Sequence, residues 1–575
     1  MLGVSARWRA YRLRLLTALS ALKREDPRRI RLASTWIPML LGLAAAMPHT
    51  AAGATRLIGH TSSITKYSGT PAAGKLYKFM ATAGENGNNT AFPLPTNPSA
   101  MGGLVSVARD AGNLLDQLTA GTWKGLGNPA GSSGWKYVNR SAPSGGAVKI
   151  LLIKQSIIKL VAKGTGSMPA PSAANGPIDT VIVADDQQYC AHASSPHSKE
   201  VQNRLIRSRD QQPPVACACV PGFDSDGDRL DNCHETNTGV FVSLMDTGTD
   251  PDNPDTDRDG INDGDELLGT TGGLNLPALG TNPLRRDILI EFDWFDDALE
   301  CGPHTHRPQP NALNEVAAAF AAAPVVNPDG STGIHMILDR GQGGAFNGGN
   351  LIADADGVLT GGVNDAEFLA LKAANFAANR NGYFHYTIMP HRYATNSDSS
   401  GQAELPGDDM IVSLYCANSV DNVAHTIMHE LGHNLFLRHG GFEECNYKPN
   451  YNSVMNYRYQ FPGVDSDCTP PGDGVLDYSI GDRLALDENN LDENVGVCGA
   501  PPWDWNGNSV LETGLMFDIN PEDMFEFGLC GGNLSVLRDY DDWSNLFFGG
   551  VTEADGARLV RREIVDCDNP APGGN

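Results

Sequence analysis

Basic residues are the first shortage. The chain of 575 residues carries 42 Lys and Arg against 68 Asp and Glu, a formal net charge of −26. That balance excludes nucleic acid and anionic membrane surfaces as expected partners. Closely paired cysteines are missing too. Eleven cysteines stand at 190, 217, 219, 233, 301, 416, 445, 468, 498, 530 and 567, and none forms a CxxC pair, so a zinc ribbon is not expected. Long apolar runs are absent as well. The run at 36–47 has twelve residues, whereas a bilayer span takes ~20. No stable membrane span is expected.

What that run fits is an export signal. Residues 1–33 hold nine Lys and Arg against Glu25 and Asp26, the apolar run follows, and small residues at 44–46 and 51–54 offer cleavage points. Residues 1–54 read as a signal-peptide region, with a short buried helix as the alternative. The destination is then secreted, extracellular or cell-surface. There the cysteines would mostly form disulfides, and their odd number leaves at least one free or mispaired.

The length predicts two or three domains. Residues 55–192 are rich in Gly, Ala, Ser and Pro and carry short β-like runs. The runs 148–153 and 157–161 read as two strands joined by a tight turn, and 179–183 as a third. An all-β, sandwich-like accessory module is expected, with Trp123 and Trp135 as core anchors. The other reading is a propeptide whose cysteine (Cys190, Cys217 or Cys219) caps a metal. Residues 193–221, polar and Pro-containing, read as a linker.

Acid is concentrated next. Residues 224–266 hold fourteen Asp and Glu against two Arg. Asp224, Asp226, Asp228 and Asp231 space their carboxylates as a loop around a hard cation requires. The second stretch reads as a full twelve-residue calcium loop. Asp255, Asp257, Asp259 and Asp263 take positions 1, 3, 5 and 9, the Ile261 carbonyl position 7, Gly260 the sharp turn and Glu266 position 12. No strong amphipathic helix precedes it, so an extended array is expected in place of a paired EF-hand. The DxDxDG units, with Cys233 and Thr249-Asp250-Pro251, resemble thrombospondin type-3 repeats of secreted proteins. That resemblance implies that 222–279 is a calcium-stiffened spacer holding one or more structural Ca²⁺. A weaker spot is Asp504, Asn506 and Asn508 with Glu512 or Asp518, readable as a calcium site or a polar turn.

Residues 280–548 read as an enzyme domain and 549–575 as a short tail. Strand 286–293, amphipathic helix 311–323 and strand 333–338 predict a parallel pair with a crossover helix. A helix at 365–379 and strands at 383–389 and 409–414 follow, the last suited to a sheet edge where an extended peptide adds as a strand. Then Val423, Ile427, Met428, Leu431 and Leu435 recur at helical spacing, with Asp421 as the N-cap. His429 and His433, four apart, share one helix face and can hold one metal, with Glu430 beside them. His439 can return through a turn as third ligand, leaving one tetrahedral position open, the arrangement of a catalytic zinc. His425 is expected on the helix face, and His385 and His391, without paired spacing, in structural roles.

His429-Glu430-x-x-His433, His439 six residues on, and Ser453-Val454-Met455-Asn456-Tyr457 together resemble the metzincin clan of zinc metallopeptidases, over about residues 284–548. The resemblance implies an α/β (α+β) catalytic domain with a mixed twisted sheet and an active-site helix. It implies one catalytic Zn²⁺ on His429, His433 and His439, with Glu430 as general base activating the zinc-bound water. Met455 would be the structural Met-turn residue, and Tyr457 either ligates zinc or stabilises the oxyanion, as in some branches of the clan, or is a packed aromatic. One position departs: Phe436 stands where the clan has glycine. Either Phe436 takes an ordinary φ through a different turn, or Asn434 takes the left-handed position. Glu443 or Glu444 is the rival third ligand. The whole predicts a multidomain, secreted zinc endopeptidase acting on protein or peptide substrates. The alternative is a calcium-stabilised surface- or matrix-binding protein with a degenerate, inactive peptidase domain.

Overall fold

The computed structural model describes most of residues 54–549 together with 563–567, and its longer breaks fall at 67–74, 84–90, 165–176, 215–223 and 522–533. Apart from Ala54, the expected export signal lies outside these residues. The chain divides into two units, Met1–Ala218 and Cys219–Asn575. The architecture is mixed, with several sheets and few helices.

The first unit is built from an eight-stranded and a five-stranded sheet. The predicted hairpin forms from Val148–Lys154 and Ile157–Gly164, with Lys154 opposite Ile157. The third predicted strand, Ile178–Ala184, belongs to the other sheet. Phe79 and Leu160 from one sheet and Val105 and Ile182 from the other fill a single core. Trp123 and Trp135 are buried in that core, and Trp135 Nε1 donates to the Pro95 carbonyl at 2.8 Å. The linker expected at 193–221 needs correcting. Part of it forms strands Lys199–Val201 and Leu205–Gln211, the second paired with Thr61–Lys66. Its inward residues are Ile206 and Ser208, so only one of the two is apolar and the period-two signal is weak.

In the second unit, the acidic loops end in helix α1 (Asp263–Leu268). Strand β1 (Asp287–Trp294) follows, with all eight residues buried, as an interior parallel strand requires. Its acids are provided for: Arg380 bonds Glu291, and the Tyr386 hydroxyl donates to Asp293 at 2.7 Å. Helix α2 (Pro310–Ala321) then crosses to β2 (His335–Asp339), parallel to β1 as the sequence predicts. Helix α3 (Ala366–Asn375) leads to β3 (Phe384–Met389), and β4 (Gly401–Leu405) and β5 (Asp409–Val412) complete the run before helix α4 (Val420–Asn434). The last strand, β6 (Glu563–Cys567), comes from far along the chain.

The sheet order is β2-β1-β3-β5-β4-β6. The first four strands run parallel, β4 runs against β5, and β6 runs against β4. Two expectations change here. The 409–414 strand is interior and not an edge, and the tail 549–575 contributes a strand. Gly-Gln-Ala-Glu-Leu is a poor strand sequence by propensity, which hid β4. Helix α4 packs its Val423, Ile427 and Leu431 against β1 and α2 side chains such as Ile290 and Phe320. Ile427 and Leu431 are fully buried, each stabilising by about 1.5–3 kcal/mol. Disulfides join Cys301 to Cys416 and Cys468 to Cys498. Among the described residues, no helix is long and apolar enough to cross a membrane.

Candidate metal centre

The N-cap of α4 is Ser419, whose hydroxyl accepts from Asn422 N at 3.1 Å; the expected cap Asp421 instead lies in the first turn. The helix closes at Leu435, and there the chain does what neither sequence alternative foresaw. Phe436 itself takes φ +75°, the position glycine would hold. Phe436 N donates to His433 O at 2.9 Å and Leu437 N to Gly432 O at 2.8 Å, the two bonds of a Schellman cap. The bulky residue is accommodated because its ring points to the surface, 6.2 Å from the Phe547 ring. Left-handed backbone costs an L-residue about 1–2 kcal/mol. Phe436→Gly should therefore raise the stability of the second unit by about 0.5–1 kcal/mol, the lost ring contact and added chain entropy offsetting part of the relief. Phe436→Val should lower it. Calorimetry of the two variants checks the sign.

This cap also aims the imidazoles. It carries the Leu437 carbonyl to His433 Nδ1, at 2.8 Å, while the Val454 carbonyl lies 2.8 Å from His429 Nδ1. A carbonyl only accepts, so both Nδ1 atoms carry the proton and both Nε2 atoms present bare lone pairs. Those two Nε2 atoms are 3.2 Å apart. Two lone pairs facing at that distance repel unless a cation lies between them, and two nitrogens bound tetrahedrally at ~2.0–2.1 Å are roughly 3.3 Å apart. Burial removes the protonated escape: it pushes His429 down to about 4, and His433 and His439 well below the usual range.

His439 returns as the spacing predicts. Its ring centroid is 5.4 Å from that of His429 and 4.9 Å from that of His433. Glu444, the rival ligand, stands behind it, with Oε2 3.9 Å from His439 Nδ1, and also pairs with Arg438; Glu443 pairs with Lys448. Glu430 is fully buried next to the cluster, where a side chain added at Gly401 would strike its carboxylate. A methyl added at Gly432 would strike Met455 Sδ, so the absent side chain makes room for the buried turn below the histidines. Tyr457 opens helix α5 (Tyr457–Gln460), its ring 4.5 Å from His439 and 5.7 Å from His429. His425, whose Nδ1 bonds the Gln460 carbonyl, is not a member of the group formed by the other three imidazoles.

A fourth group joins the cluster, one that no local motif marks. Strand β6 ends with Cys567 Sγ 3.4 Å from His433 Nε2, 3.8 Å from His439 Nε2 and 3.5 Å from Glu430 Oε2. Donor atoms of His429, His433, His439 and Cys567 all lie within 4.8 Å of one another. A nitrogen and a sulfur sharing a tetrahedral zinc are roughly 3.6 Å apart, so the donor set fits zinc. The cysteine meeting these histidines is therefore not one of those expected: Cys190 is disulfide-bonded, and Cys217 and Cys219 lie outside the described residues.

The acidic loops form a second kind of cluster. Donor oxygens of Asp224, Asp226 and Asp228 gather, as do those of Asp228, Glu235 and Asp263. Glu235 is position 12 of a loop starting at Asp224, a register obscured by Arg229 at position 6, where the other loop has Gly260; both have φ above +80°. Asp231 falls in another group, with His234 and the disulfide-bonded Cys233. In the second loop, Asp255 accepts from Arg258 N and Gly260 N, and Asp259 Oδ1 from Ile261 N. Asp257, Asp259 and Glu266 are buried together with Asp287, the first residue of β1, whose amide donates to Asp259 Oδ2 at 2.7 Å. Burial pushes Asp257, Asp259 and Glu266 well up, mutual repulsion adding to it, and lifts Asp226 and Asp263 to about 8 and Glu235 to about 9. Acids raised in the fold favour it while protonated, so without a cation their contribution to stability is fully present below ~pH 4 and is lost as pH rises through about 8–9. Chelation should thus lower the melting midpoint at pH 8 by roughly 5 °C or more and far less at pH 5, with calcium restoring it. Protease resistance of 224–266 under calcium titration gives a second readout, and no protection at millimolar calcium would count against the site. In the Asp504 loop, Ser509 N donates to Asp504 as Gly260 N does to Asp255, while the Asn506 and Asn508 amides both donate to Glu512.

His385 is structural, its Nδ1 3.0 Å from Asn434 Oδ1, but His391 joins His304 and His306 in a further cluster. No family model matches the chain, and no curated protein matches it.

Proposed function

We propose that the second unit is a zinc-dependent endopeptidase of metzincin type. The observation that carries this is the pair of bare imidazole nitrogens 3.2 Å apart, joined by His439, with a buried carboxylate on the same helix turn. A bound Zn²⁺ would polarise a peptide carbonyl and lower the pKa of water from ~15.7 to roughly 7. Glu430 takes the proton of the attacking water at its carboxylate and hands it to the departing nitrogen. Tyr457, whose ring lies 4.5 Å from that of His439, is the candidate donor to the carbonyl oxygen. Val454 and Leu437 hold the ligand rings in one tautomer through their carbonyls.

The chain's own β6 supports a peptide substrate. It lies antiparallel on β4 from Leu405–Glu563 to Gly401–Cys567, and Ser400 N donates to the Cys567 carbonyl at 3.0 Å. A substrate added to β4 in this way runs its backbone to the histidines. With β6 there, Cys567 completes a four-donor set, which is a closed site. We read this as a latent form that opens when β6 leaves. Disulfides support an oxidising, extracellular setting, and the acidic loops read as calcium sites stiffening the approach to β1.

One observation favours a second reading. Three imidazoles and a thiolate also suit a structural zinc, and then the unit is a binding protein without hydrolysis. One experiment tests both: assay casein cleavage and zinc content of Cys567→Ala. Cleavage supports the peptidase; bound zinc without cleavage supports the binding protein.

A further inference from the structure

Outside the centre just described, three more imidazoles converge. His304 lies in a two-residue strand, His304–Thr305, paired with Asp296–Asp297, and His306 follows two residues on. His391 comes from beyond the carboxyl end of β3. Their ring centroids are 4.7, 5.1 and 5.2 Å apart, against 4.9, 4.9 and 5.4 Å for His429, His433 and His439. Open α/β sheets bind ligands outside the carboxyl ends of their strands.

Hydrogen bonding fixes which nitrogens face inward. His304 Nδ1 is 2.7 Å from the Gly302 carbonyl, so it carries the proton and Nε2 is bare. That Nε2 is buried and has no hydrogen-bond partner. His391 Nε2 is 3.1 Å from Glu300 Oε2, so it is the protonated atom and Nδ1 is bare. His306 Nε2 stands 3.1 Å from that Nδ1. A donor nitrogen of each ring lies within 4.8 Å of the others. A simple His306–His391 hydrogen bond would account for two of the rings and leave the buried His304 Nε2 unexplained. A cation accounts for all three. The Gly302 carbonyl and the Glu300 carboxylate are then the outer groups that orient ligating imidazoles. The Cys301–Cys416 disulfide anchors the His304 loop beside them.

We propose that His304, His306 and His391 form a second site for a divalent transition metal of the zinc class. Three imidazoles select zinc or its late first-row neighbours over calcium and magnesium, which take oxygen. The metal fastens the 296–306 loop to the end of β3. This site does not depend on the peptidase reading.

The test is zinc stoichiometry by mass spectrometry on the full chain after dialysis against a weak chelator. Wild type should hold two equivalents. His304→Gln, a change at a partly exposed ring, should hold one, and so should His391→Ala. Replacing both His429 and His433 by Ala should leave one equivalent, removed by adding His304→Gln. Cobalt loading of that double variant should give the visible bands of a histidine-ligated ion, which survives as a readout if His391→Ala misfolds. Zinc content unchanged by His304→Gln in wild type, or no metal in the His429/His433 double variant, overturns the proposal. One equivalent in wild type that persists in the double variant would uphold this site and count against the other.

Discussion

Glu430→Gln, made in the Cys567→Ala background, should cut kcat/KM for casein by roughly 10²–10⁴ while zinc content stays unchanged. The amide has the shape of the carboxylate but cannot take a proton. Glu430 is fully buried in α4, packed against Gly401, and is not one of the imidazoles that gather. Its replacement therefore leaves His429 and His433 in their carbonyl-bonded tautomers. His433→Ala should behave differently, losing one zinc equivalent and the activity together. Hydrolysis that survives Glu430→Gln would end the assigned role for this carboxylate. A parallel loss of zinc would make Glu430 a support for the metal and not a proton carrier.

Removing β6 should have the opposite effect. A chain ending at Gly549, or one carrying Cys567→Ala, should gain activity over the full chain by about 10² or more, since a tethered competitor enjoys a 10²–10⁴ advantage over a free one. The strand is held at three places: the ladder to β4, the Arg438–Glu563 ion pair at 2.7 Å, and Cys567 at the histidines. Cys567→Ala removes only the last, so its gain should be smaller than that of the truncated chain. Arg438→Ala should loosen the strand without touching the metal ligands. Equal and negligible activity in all these variants would leave the non-hydrolytic zinc protein as the account.

The centre was legible in part because the three histidines and Glu430 lie within eleven consecutive residues, 429–439, where helical spacing sets geometry directly. The crossover β1–α2–β2 was legible for a related reason, since periodicity and connection length restrict the topology. Cys567 was not, because it reaches the histidines only through the pairing of two strands, 128 residues from His439. No local pattern encodes that. Glu235 was within reach: counting twelve from Asp224 finds it, but Arg229 in the turn position disguised the loop. Two histidines spaced by one residue, His304-Thr305-His306, share a strand face and were readable as a pair; His391 was not. Phe436 shows the limit of residue preference. The turn's hydrogen bonds and the exposed ring outweighed an unfavourable φ.

The Asp287 amide bonded to Asp259 bears on how this protein should be handled. A cut at residue 280 falls between the acidic loops and β1. It would remove the carboxylate that accepts from the Asp287 amide at the start of β1, leaving Asp287 held by Asn282 and His335 alone. Fragments for biochemistry should begin upstream of Asp224, keeping the acidic loops and the six-stranded sheet as one piece.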